Sequence, residues 1–366
     1  MARWYMPVEV RFGAGALREL PDVVGPGRAL VLLYPQGAAA DWPARIERLL
    51  GARRAECLVV PDGLPTLAQA RRLCVDVWSR AEASPGTTIV AVGGGATMDL
   101  AKAASHRPRS RAFDDLAAWI RGERSMPLLD PIPLVAVPTT AGTGSEVTPW
   151  ATLWDIGGAA GRKLSLHSAG GYPRAAIVDP ESTRSCPPDV TRDSGLDALS
   201  HALEAIWNRN ATAVTDGLAI DAARHVLAAL PAVLAEPERM DLRERMSLAA
   251  LQAGLAFAQT QTALAHALSY EVTLTRGTPH GLACAIWLPT ACRLALGHEP
   301  RCDAALAAVF GRAAAPADAL EAWLVALGVD LALERYGVAD PAARIAAALG
   351  SARGRNFIVA PDRAAA

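Results

Sequence analysis

The first half of the chain alternates short apolar runs with helix-like stretches, and this alternation limits its fold more than any other feature. The apolar runs lie at 28–35, 56–63, 87–95, 133–140 and 175–181. Stretches such as AADWPARIERLL and TLAQARRLCVDVWSRAEA lie between them. Strands of a parallel sheet are buried on both faces and are therefore continuously apolar. Strands that alternate with helices typically form such a sheet, so we predict an α/β layer.

The second half has a different character. From about residue 190 onward the chain is rich in Ala and Leu with helical periodicity. Its 366 residues are enough for two domains, because single cores rarely grow beyond about 250–300 residues. The adjacent Pro187 and Pro188 disfavour helix and mark a connector. We predict an α/β domain over 1–187 and an all-helical domain over 188–366.

Charge and composition narrow the function classes. The net charge of −1 gives no electrostatic case for nucleic acid or an anionic membrane. We see no apolar run near the roughly 20 residues of a membrane span and no apolar core of a signal peptide. The six cysteines are scattered and never form CxxC. We therefore expect reduced thiols in a cytoplasmic protein, with neither disulfides nor a thiolate metal site.

Two glycine- and hydroxyl-rich turns follow predicted strands. TTIVAVGGGATMDLAKAAS reads as strand, triple-glycine turn and a helix that opens at Ala96 or Thr97. Free backbone N–H groups at such a helix start suit a pyrophosphate, although a tight turn without a ligand explains the pattern equally well. VPTTAGTGSEVT (137–148) could be a loop in which Thr143 or Ser145 caps a helix. Two such turns at the carboxyl ends of one sheet favour a dinucleotide.

A third pattern concerns an ion. In DSGLDALSHALEA, Asp197 and His201 are four residues apart and share one helix face. They are either a surface ion pair or two ligands. His266 and His280 lie in Ala- and Leu-rich surroundings, where a lone histidine is usually a satisfied core residue. Together the four make a three-His, one-carboxylate set that suits Fe(II), Zn(II), Ni(II) or Mn(II) better than Ca or Mg. The remaining histidines have no partner spacing and are assigned structural roles: His106, His167, His225 and His298.

Five ordered motifs resemble the iron-containing (group III) alcohol dehydrogenases. They are GGGATMDLAK, PTTAGTGSEVT, Lys163 followed by AAIVDPE, GLDALSHALEA, and His266 followed after 13 residues by His280-Gly. The resemblance runs from VRFGAG (10–15) to AIWLP (285–289). It implies a Rossmann-like N-terminal domain and an all-α C-terminal domain, the architecture shared with dehydroquinate synthase.

The resemblance also implies site residues. Asp197, His201, His266 and His280 become the ligands of one divalent metal, Fe(II) first and Zn(II) second. Glu204 and Asp193 would then support the ligands or cap the helix. The cofactor is NAD or NADP. Its site comprises Gly94, Gly95 and Ala96 at the pyrophosphate, Thr139, Thr140 and Thr143 along the nucleotide, Lys163 near the nicotinamide ribose, and Tyr34 and Asp99.

Three positions depart from the family pattern. Ala96 stands where Ser is common, so one hydroxyl contact is missing. Tyr34 lies near the position where NAD-preferring members place an Asp, and the absence of that acid leaves NADP(H) open. Tyr270 replaces a second histidine four residues after the metal-binding His266. That change is either neutral drift or a sign of a changed substrate pocket or proton relay.

HALSYEVTLTRGTPHG together with WATLWD (150–155) resembles the phosphonoacetaldehyde reductase branch of the family. Such enzymes reduce a phosphonate-bearing aldehyde to its alcohol, 2-hydroxyethylphosphonate. An anionic substrate needs a basic group, and Arg276 and Arg162 are candidates by position, although each is otherwise an ordinary surface arginine.

The resulting expectation is a metal-dependent, NAD(P)H-linked reductase of a small aldehyde. The metal polarises the carbonyl, the nicotinamide delivers hydride, and a ribose hydroxyl, Tyr270 or water supplies the proton, with Lys163 nearby. Three alternatives remain: a maleylacetate reductase-like enzyme, a dehydroquinate synthase-type lyase that uses NAD transiently, and a nucleotide-binding protein with a structural metal. By analogy with the family, we also expect the protein to form a homodimer.

Overall fold

The computed structural model describes residues 4–52, 54–125, 129–156, 161–311 and 315–359. The chain forms two compact units. One unit comprises 6–140 and 145–185 and is called the α/β unit below. The other, the helical unit, contains the chain from Cys186 onward together with Trp4, Tyr5 and Ala141–Gly144.

The α/β unit is built on a six-stranded sheet in which every paired strand is parallel. Its strands are β1 (Glu9–Phe12), β2 (Ala29–Leu33), β3 (Ala55–Val59), β4 (Thr88–Gly93), β5 (Leu134–Pro138) and β8 (Ala175–Val178), in the order β1-β8-β5-β4-β2-β3. Strands β2, β4, β5 and β8 are buried along their whole length. This confirms the predicted parallel sheet, and each of the five apolar runs overlaps one of its strands. The prediction that all five strands are buried is wrong for β3, which forms an edge of the sheet and leaves Cys57 and Val59 exposed.

Two features of this unit were not predicted. β1 forms one edge of the sheet. β6 (Trp150–Asp155) and β7 (Arg162–His167) pair antiparallel as a separate two-stranded sheet. From Trp150 to Leu153 the residues of β6 alternate between half-buried and buried positions, which is the two-faced pattern of a sheet with one covered side. The helices of this unit are α1 (Leu20–Val24), α2 (Pro35–Ala39), α3 (Trp42–Leu50), α4 (Leu67–Ala83), α5 (Gly95–Ser105) and α6 (Phe113–Ile120).

The helical unit contains the following helices: α7 (Pro188–Ile206), α8 (Ala213–Ala235), α9 (Met240–Thr260), α10 (Leu264–Arg276), α11 (His280–Ala285), α12 (Leu288–Ala295), α13 (Pro300–Phe310), α14 (Pro316–Ala326) and α15 (Pro341–Gly350). Pro188 is the first residue of α7, where a proline lacks only an N–H that would have no helical partner. The paired prolines are therefore the start of a helix as well as the end of the connector.

Helix α8 is the only described helix whose length and mean hydropathy would allow it to cross a membrane. It packs against α7 and α9 and buries Ala222, Ala223 and Val226. Core helices of this kind meet the same length and hydropathy criterion.

Candidate metal centre and dinucleotide turns

Helix α7 carries Asp197 and His201 one turn apart on a buried stretch. Every residue from Gly195 to Ile206 is buried, and Asp197 and His201 are only 4% and 5% exposed. Burying a carboxylate without a partner is costly, so a surface ion pair is ruled out by this placement. The pair instead points into a group of donors within the helical unit.

His266 of α10 and His280 of α11 approach the same carboxylate oxygen. Asp197 Oδ1 lies 3.6 Å from His266 Nε2, 3.8 Å from His201 Nε2 and 4.0 Å from His280 Nε2. Two ligands about 2.0–2.1 Å from one tetrahedral ion are about 3.4 Å apart, close to these spacings. Within the described part of the chain, the buried Asp197 Oδ1 and His266 Nε2 have no hydrogen-bond partner. Orphaned buried atoms at this spacing fit a divalent cation between them.

Glu204 orients His266 from behind. This carboxylate is fully buried and accepts hydrogen bonds from His266 Nδ1 at 2.7 Å and from the Ala263 and Ala265 amides at 2.7 and 2.5 Å. Burial raises the pKa of Glu204, but His266 and the amides outweigh it and hold the pKa below its usual value. Because Nδ1 donates to Glu204, Nε2 is the ring nitrogen that remains to bind a metal beside Asp197, as in metal-binding histidines.

Charge and burial set the protonation states of Asp197 and His201 on α7. Burial raises the pKa of Asp197, but the three facing imidazoles hold it well below its usual range. Burial also lowers the pKa of His201 to about 4, which leaves its imidazole neutral near pH 7. An ionised carboxylate beside a neutral imidazole is the form in which both groups bind metals.

The tightest donor set contains a residue that the sequence analysis did not select. Atoms of Asp197, His266, His280 and Cys284 all lie within 4.8 Å of one another. His201 borders this set through Asp197, and its ring stacks on His266 with centroids 4.7 Å apart. Cys284 follows His280 by four residues, the same spacing that drew attention to Asp197 and His201. This four-residue spacing could have indicated Cys284 from the sequence. It was missed because the six cysteines were considered together, as a scattered set without CxxC.

Tyr270 lies one turn after His266 on α10 and is half-buried. The guanidinium of Arg353 lies 5.8 Å from the centre of its ring. Arg353 also donates to Thr262 Oγ1. The arginines suggested by the sequence, Arg162 and Arg276, are both exposed, as an ordinary surface role would have them.

The triple-glycine turn joins β4 to α5 in the α/β unit. Gly94 is the N-cap in extended backbone, and the helix begins at Gly95, one residue before the predicted start. A Cβ on Gly94 would lie 3.3 Å from Thr140 Oγ1, and the Thr139 amide donates to Gly93 O at 3.0 Å. The structure therefore brings Gly94, Thr139 and Thr140 together at the carboxyl ends of the neighbouring strands β4 and β5. Ala96 follows in the first turn of α5.

The other predicted cofactor residues are distributed more widely. Tyr34 is the N-cap of α2, directly after β2, the strand beside β4. Asp99 lies one turn into α5, where burial raises its pKa to about 6 against the opposing charges of Lys102 and Lys163. Thr143 belongs to Ala141–Gly144, which groups with the helical unit. There a Cβ on Gly142 would lie 2.7 Å from Ser194, and Gly144, with φ +58°, abuts Gly254.

Lys102 was not predicted and is completely buried. Its Nζ donates to Ser145 Oγ at 2.8 Å and to the Trp150 carbonyl at 2.7 Å. These bonds tie α5 to the second turn and to the start of β6. The lysine inside GGGATMDLAK is visible in the sequence, but its position there does not distinguish such a structural contact from a contact with a cofactor.

Comparison with known proteins identifies the family of the chain. Residues 7–180 match the family description "Iron-containing alcohol dehydrogenase", and residues 191–360 match "Fe-containing alcohol dehydrogenase family, C-terminal". The chain belongs to the iron-containing alcohol dehydrogenase family. The predicted family, the α/β plus all-α architecture and, at the level of the family, the predicted enzyme class are confirmed.

Three relatives show the range of the similarity. "Probable alcohol dehydrogenase EutG" of Salmonella typhimurium is 40% identical over 202 residues, 55% of this chain and 50% of that protein. The chain thus matches about half the length of its first curated relatives. A sulfoacetaldehyde reductase from Bifidobacterium kashiwanohense, solved with NAD+, aligns with a TM-score of 0.88 at 29% identity over 100% of this chain and 96% of its own. A maleylacetate reductase from Agrobacterium tumefaciens aligns with a TM-score of 0.76 at 26% identity, over 96% of this chain and 93% of its own. NAD and a divalent metal, typically iron, are the cofactors of the family, as predicted.

Proposed function

We propose that the protein is a metal-dependent, NAD(P)H-linked reductase that interconverts a small aldehyde and its primary alcohol. The observation that carries this proposal is the cluster of the buried Asp197, His201 and His266 with the half-buried His280. Among the described residues, Asp197 Oδ1 and His266 Nε2 have no hydrogen-bond partner in it. A divalent ion held by these residues supplies Lewis acidity toward a carbonyl oxygen. Glu204 fixes the ring of His266, and Asp197 brings the negative charge that retains a cation.

The dinucleotide is assigned to the triple-glycine turn and to Thr139 and Thr140 at the start of the second turn, all in the α/β unit. The N-terminal end of α5 presents backbone N–H groups and a positive dipole toward a pyrophosphate, and Thr139 and Thr140 stand beside it. Lys163 interacts with Asp99 and is proposed to meet the nicotinamide ribose. Tyr34 offers no carboxylate to repel a 2′-phosphate, so we expect NADPH to serve as well as NADH, within about tenfold.

We propose further that the aldehyde bears a strong anionic group, phosphonate or the related sulfonate. Arg353 beside Tyr270 supports this, because no described carboxylate forms an ion pair with its guanidinium. The solved sulfoacetaldehyde reductase is an enzyme whose name gives a sulfonate-bearing aldehyde as substrate. Tyr270, one turn from His266, is proposed as the proton relay or a wall of the substrate pocket.

The test follows absorbance at 340 nm with Fe(II)-loaded protein and four substrates: phosphonoacetaldehyde, sulfoacetaldehyde, propanal and maleylacetate. We expect saturable oxidation of NAD(P)H, with kcat/KM for an anionic two-carbon aldehyde above that for propanal. Arg353→Gln should raise KM for the anionic aldehyde about tenfold or more and leave propanal unchanged, whereas the exposed Arg276→Gln should change neither. Equal loss on propanal would reject the anion-binding role.

Two alternatives have their own outcomes. Preference for maleylacetate would favour the hypothesis that the protein is a maleylacetate reductase, which the similarity to the Agrobacterium enzyme supports. Turnover of substrate without net NAD(P)H consumption would favour a lyase of the dehydroquinate synthase type. A cytoplasmic homodimer is proposed by analogy with the family, and sedimentation equilibrium of the purified protein measures the oligomeric state.

A further inference from the structure

Cys284 is the one cysteine that lies among metal-binding groups. It is fully buried on α11, one helical turn after His280. Its Sγ is 3.9 Å from His280 Nε2 and 4.0 Å from Nδ1. It also lies within 4.8 Å of the donor atoms of Asp197 and His266. None of the other five cysteines belongs to such a donor group among the described residues.

The spacing suits two ligands of one ion. A thiolate about 2.3 Å and an imidazole about 2.1 Å from a shared metal, at a tetrahedral or somewhat wider angle, are about 3.6–3.8 Å apart. The observed 3.9 Å is close to that value, whereas a thiol that packs as a small apolar group would be surrounded by hydrocarbon. The second observation is independent: Asp197 Oδ1 and His266 Nε2 are buried in the same group and find no hydrogen-bond partner among the described residues.

We propose that the Cys284 thiolate is a metal donor at this centre, in addition to the carboxylate and imidazoles. The inference rests on the proposed metal-dependent function and deepens it. Coordination would convert the thiol to a thiolate and release one proton to solvent. A sulfur ligand softens the site, so it shifts the preference from Fe(II) toward Zn(II) and Co(II) compared with a set of only nitrogen and oxygen donors.

X-ray absorption of the Zn(II)-loaded full-length protein tests the donor set without any substitution. We expect one sulfur scatterer about 2.3 Å from the zinc together with nitrogen and oxygen scatterers at about 2.0–2.1 Å. A shell of nitrogen and oxygen alone would overturn the proposal while leaving the metal-dependent function intact. A protein that binds no divalent ion would overturn both, so the two failures are distinguishable.

A substitution pair gives a second readout. The Co(II)-loaded protein should show a thiolate-to-cobalt charge-transfer band in the near ultraviolet. Cys284→Ser should lose that band, and the matched control Cys292→Ser, a buried cysteine on α12, should keep it. In competition for limiting protein, Cys284→Ser should bind Fe(II) relative to Zn(II) about tenfold better than the unsubstituted chain. An unchanged band and ratio in Cys284→Ser would contradict the assignment.

Discussion

At the scale of single residues, Glu204 holds the most consequential position outside the donor set. It is an acceptor-only carboxylate that faces four donors: the His266 ring and the backbone amides of Ala263, Ala265 and His266. A glutamine of the same shape has one acceptor oxygen and one donor nitrogen, so its NH2 group would oppose one of those donors. The chain therefore requires a charged residue here for a geometric reason as well as an electrostatic one.

Glu204→Gln should reduce metal affinity about 10–100-fold, because His266 would lose its fixed orientation. Competition with a chelator of known affinity measures the change. Glu271→Gln, on the same helix as His266 but exposed, is the control and should bind metal normally. Normal affinity in Glu204→Gln would show that His266 is held by packing alone.

His106 illustrates a buried imidazole that serves structure. It is 1% exposed, its Nδ1 bonds the Lys102 carbonyl at 2.7 Å, and its Nε2 contacts Ser168 Oγ at 2.5 Å. Burial lowers its pKa from the ordinary value of 6.5. The unfolded chain therefore binds the proton more tightly than the folded chain. The titration of His106 therefore leaves the free energy of unfolding unchanged above pH 6.5. It lowers that free energy as the pH falls from 6.5 toward the lowered pKa.

Replacement by a residue that does not titrate isolates this contribution. Between pH 7.5 and 5.5 the difference in unfolding free energy between the unsubstituted chain and His106→Gln should shrink. The shrinkage should approach about 1.4 kcal/mol per pH unit below pH 6.5. Urea denaturation at the two pH values measures it, with the exposed His298→Gln as control. A difference that stays constant with pH would mean that His106 keeps its ordinary pKa in the fold.

At the scale of elements, the metal centre depends on the close approach of α11 to α7. A Cβ on Gly281 would lie 1.8 Å from the Asp193 carbonyl oxygen and 2.9 Å from the Asp197 amide nitrogen. Since Gly281 adjoins His280, the same contact places one ligand helix against the other. Only glycine permits this approach, which accounts for the glycine directly after His280 in the sequence.

Gly281→Ala should force α11 away from α7, lower the free energy of unfolding by about 2–4 kcal/mol and weaken metal binding. Gly217 of α8 is the matched control, because a Cβ there meets nothing within 4 Å. Gly217→Ala should instead stabilise the protein by about 0.5–1 kcal/mol. Thermal unfolding with and without Zn(II) compares the two variants. Equal behaviour would contradict the close-contact argument.

At the scale of the whole molecule, the two proposed ligands fall to different compact units. Every donor of the metal centre belongs to the helical unit, on α7, α10 and α11. The glycine turn and Thr139, Thr140 and Lys163 belong to the α/β unit. Each ligand should therefore stabilise the unit that holds its first contacts.

Removal of metal by a chelator should speed amide hydrogen exchange in α7, α10 and α11 more than in β2, β4 and β5. A ligand at about 100 times its Kd stabilises the folded state by about 2.7 kcal/mol, which is enough to register in such exchange. Hydrogen exchange followed by mass spectrometry resolves these peptides, and addition of NAD+ to the chelated protein is the complementary arm. Uniform protection by the metal over both units would show that they unfold together.

Elements with strong local patterns were predictable. Four of the five predicted strands, β2, β4, β5 and β8, are buried, continuous apolar runs, and such runs have few alternatives to a parallel sheet. β1 and β7 were missed because EVRF and RKLSLH are short and at least half polar, so no apolar run marks them as strands. The triple-glycine turn was found to within one residue, since glycine next to a strand leaves few backbone options.

The sequence by itself determined the α/β-then-helical order, the family and the pattern of one carboxylate with three histidines. Each of these follows from the local spacing of residues or from motifs in a fixed order. Only the tertiary structure decided that Cys284 lies within 4.8 Å of Asp197 and His266, that Glu204 turns the ring of His266, and that Arg353 lies against Tyr270. Cys284 and Asp197, Glu204 and His266, and Arg353 and Tyr270 are each separated by about 60–90 positions along the chain, and Cys284 follows His266 on a different helix. They meet because packed helices bring together side chains that no period in the sequence connects.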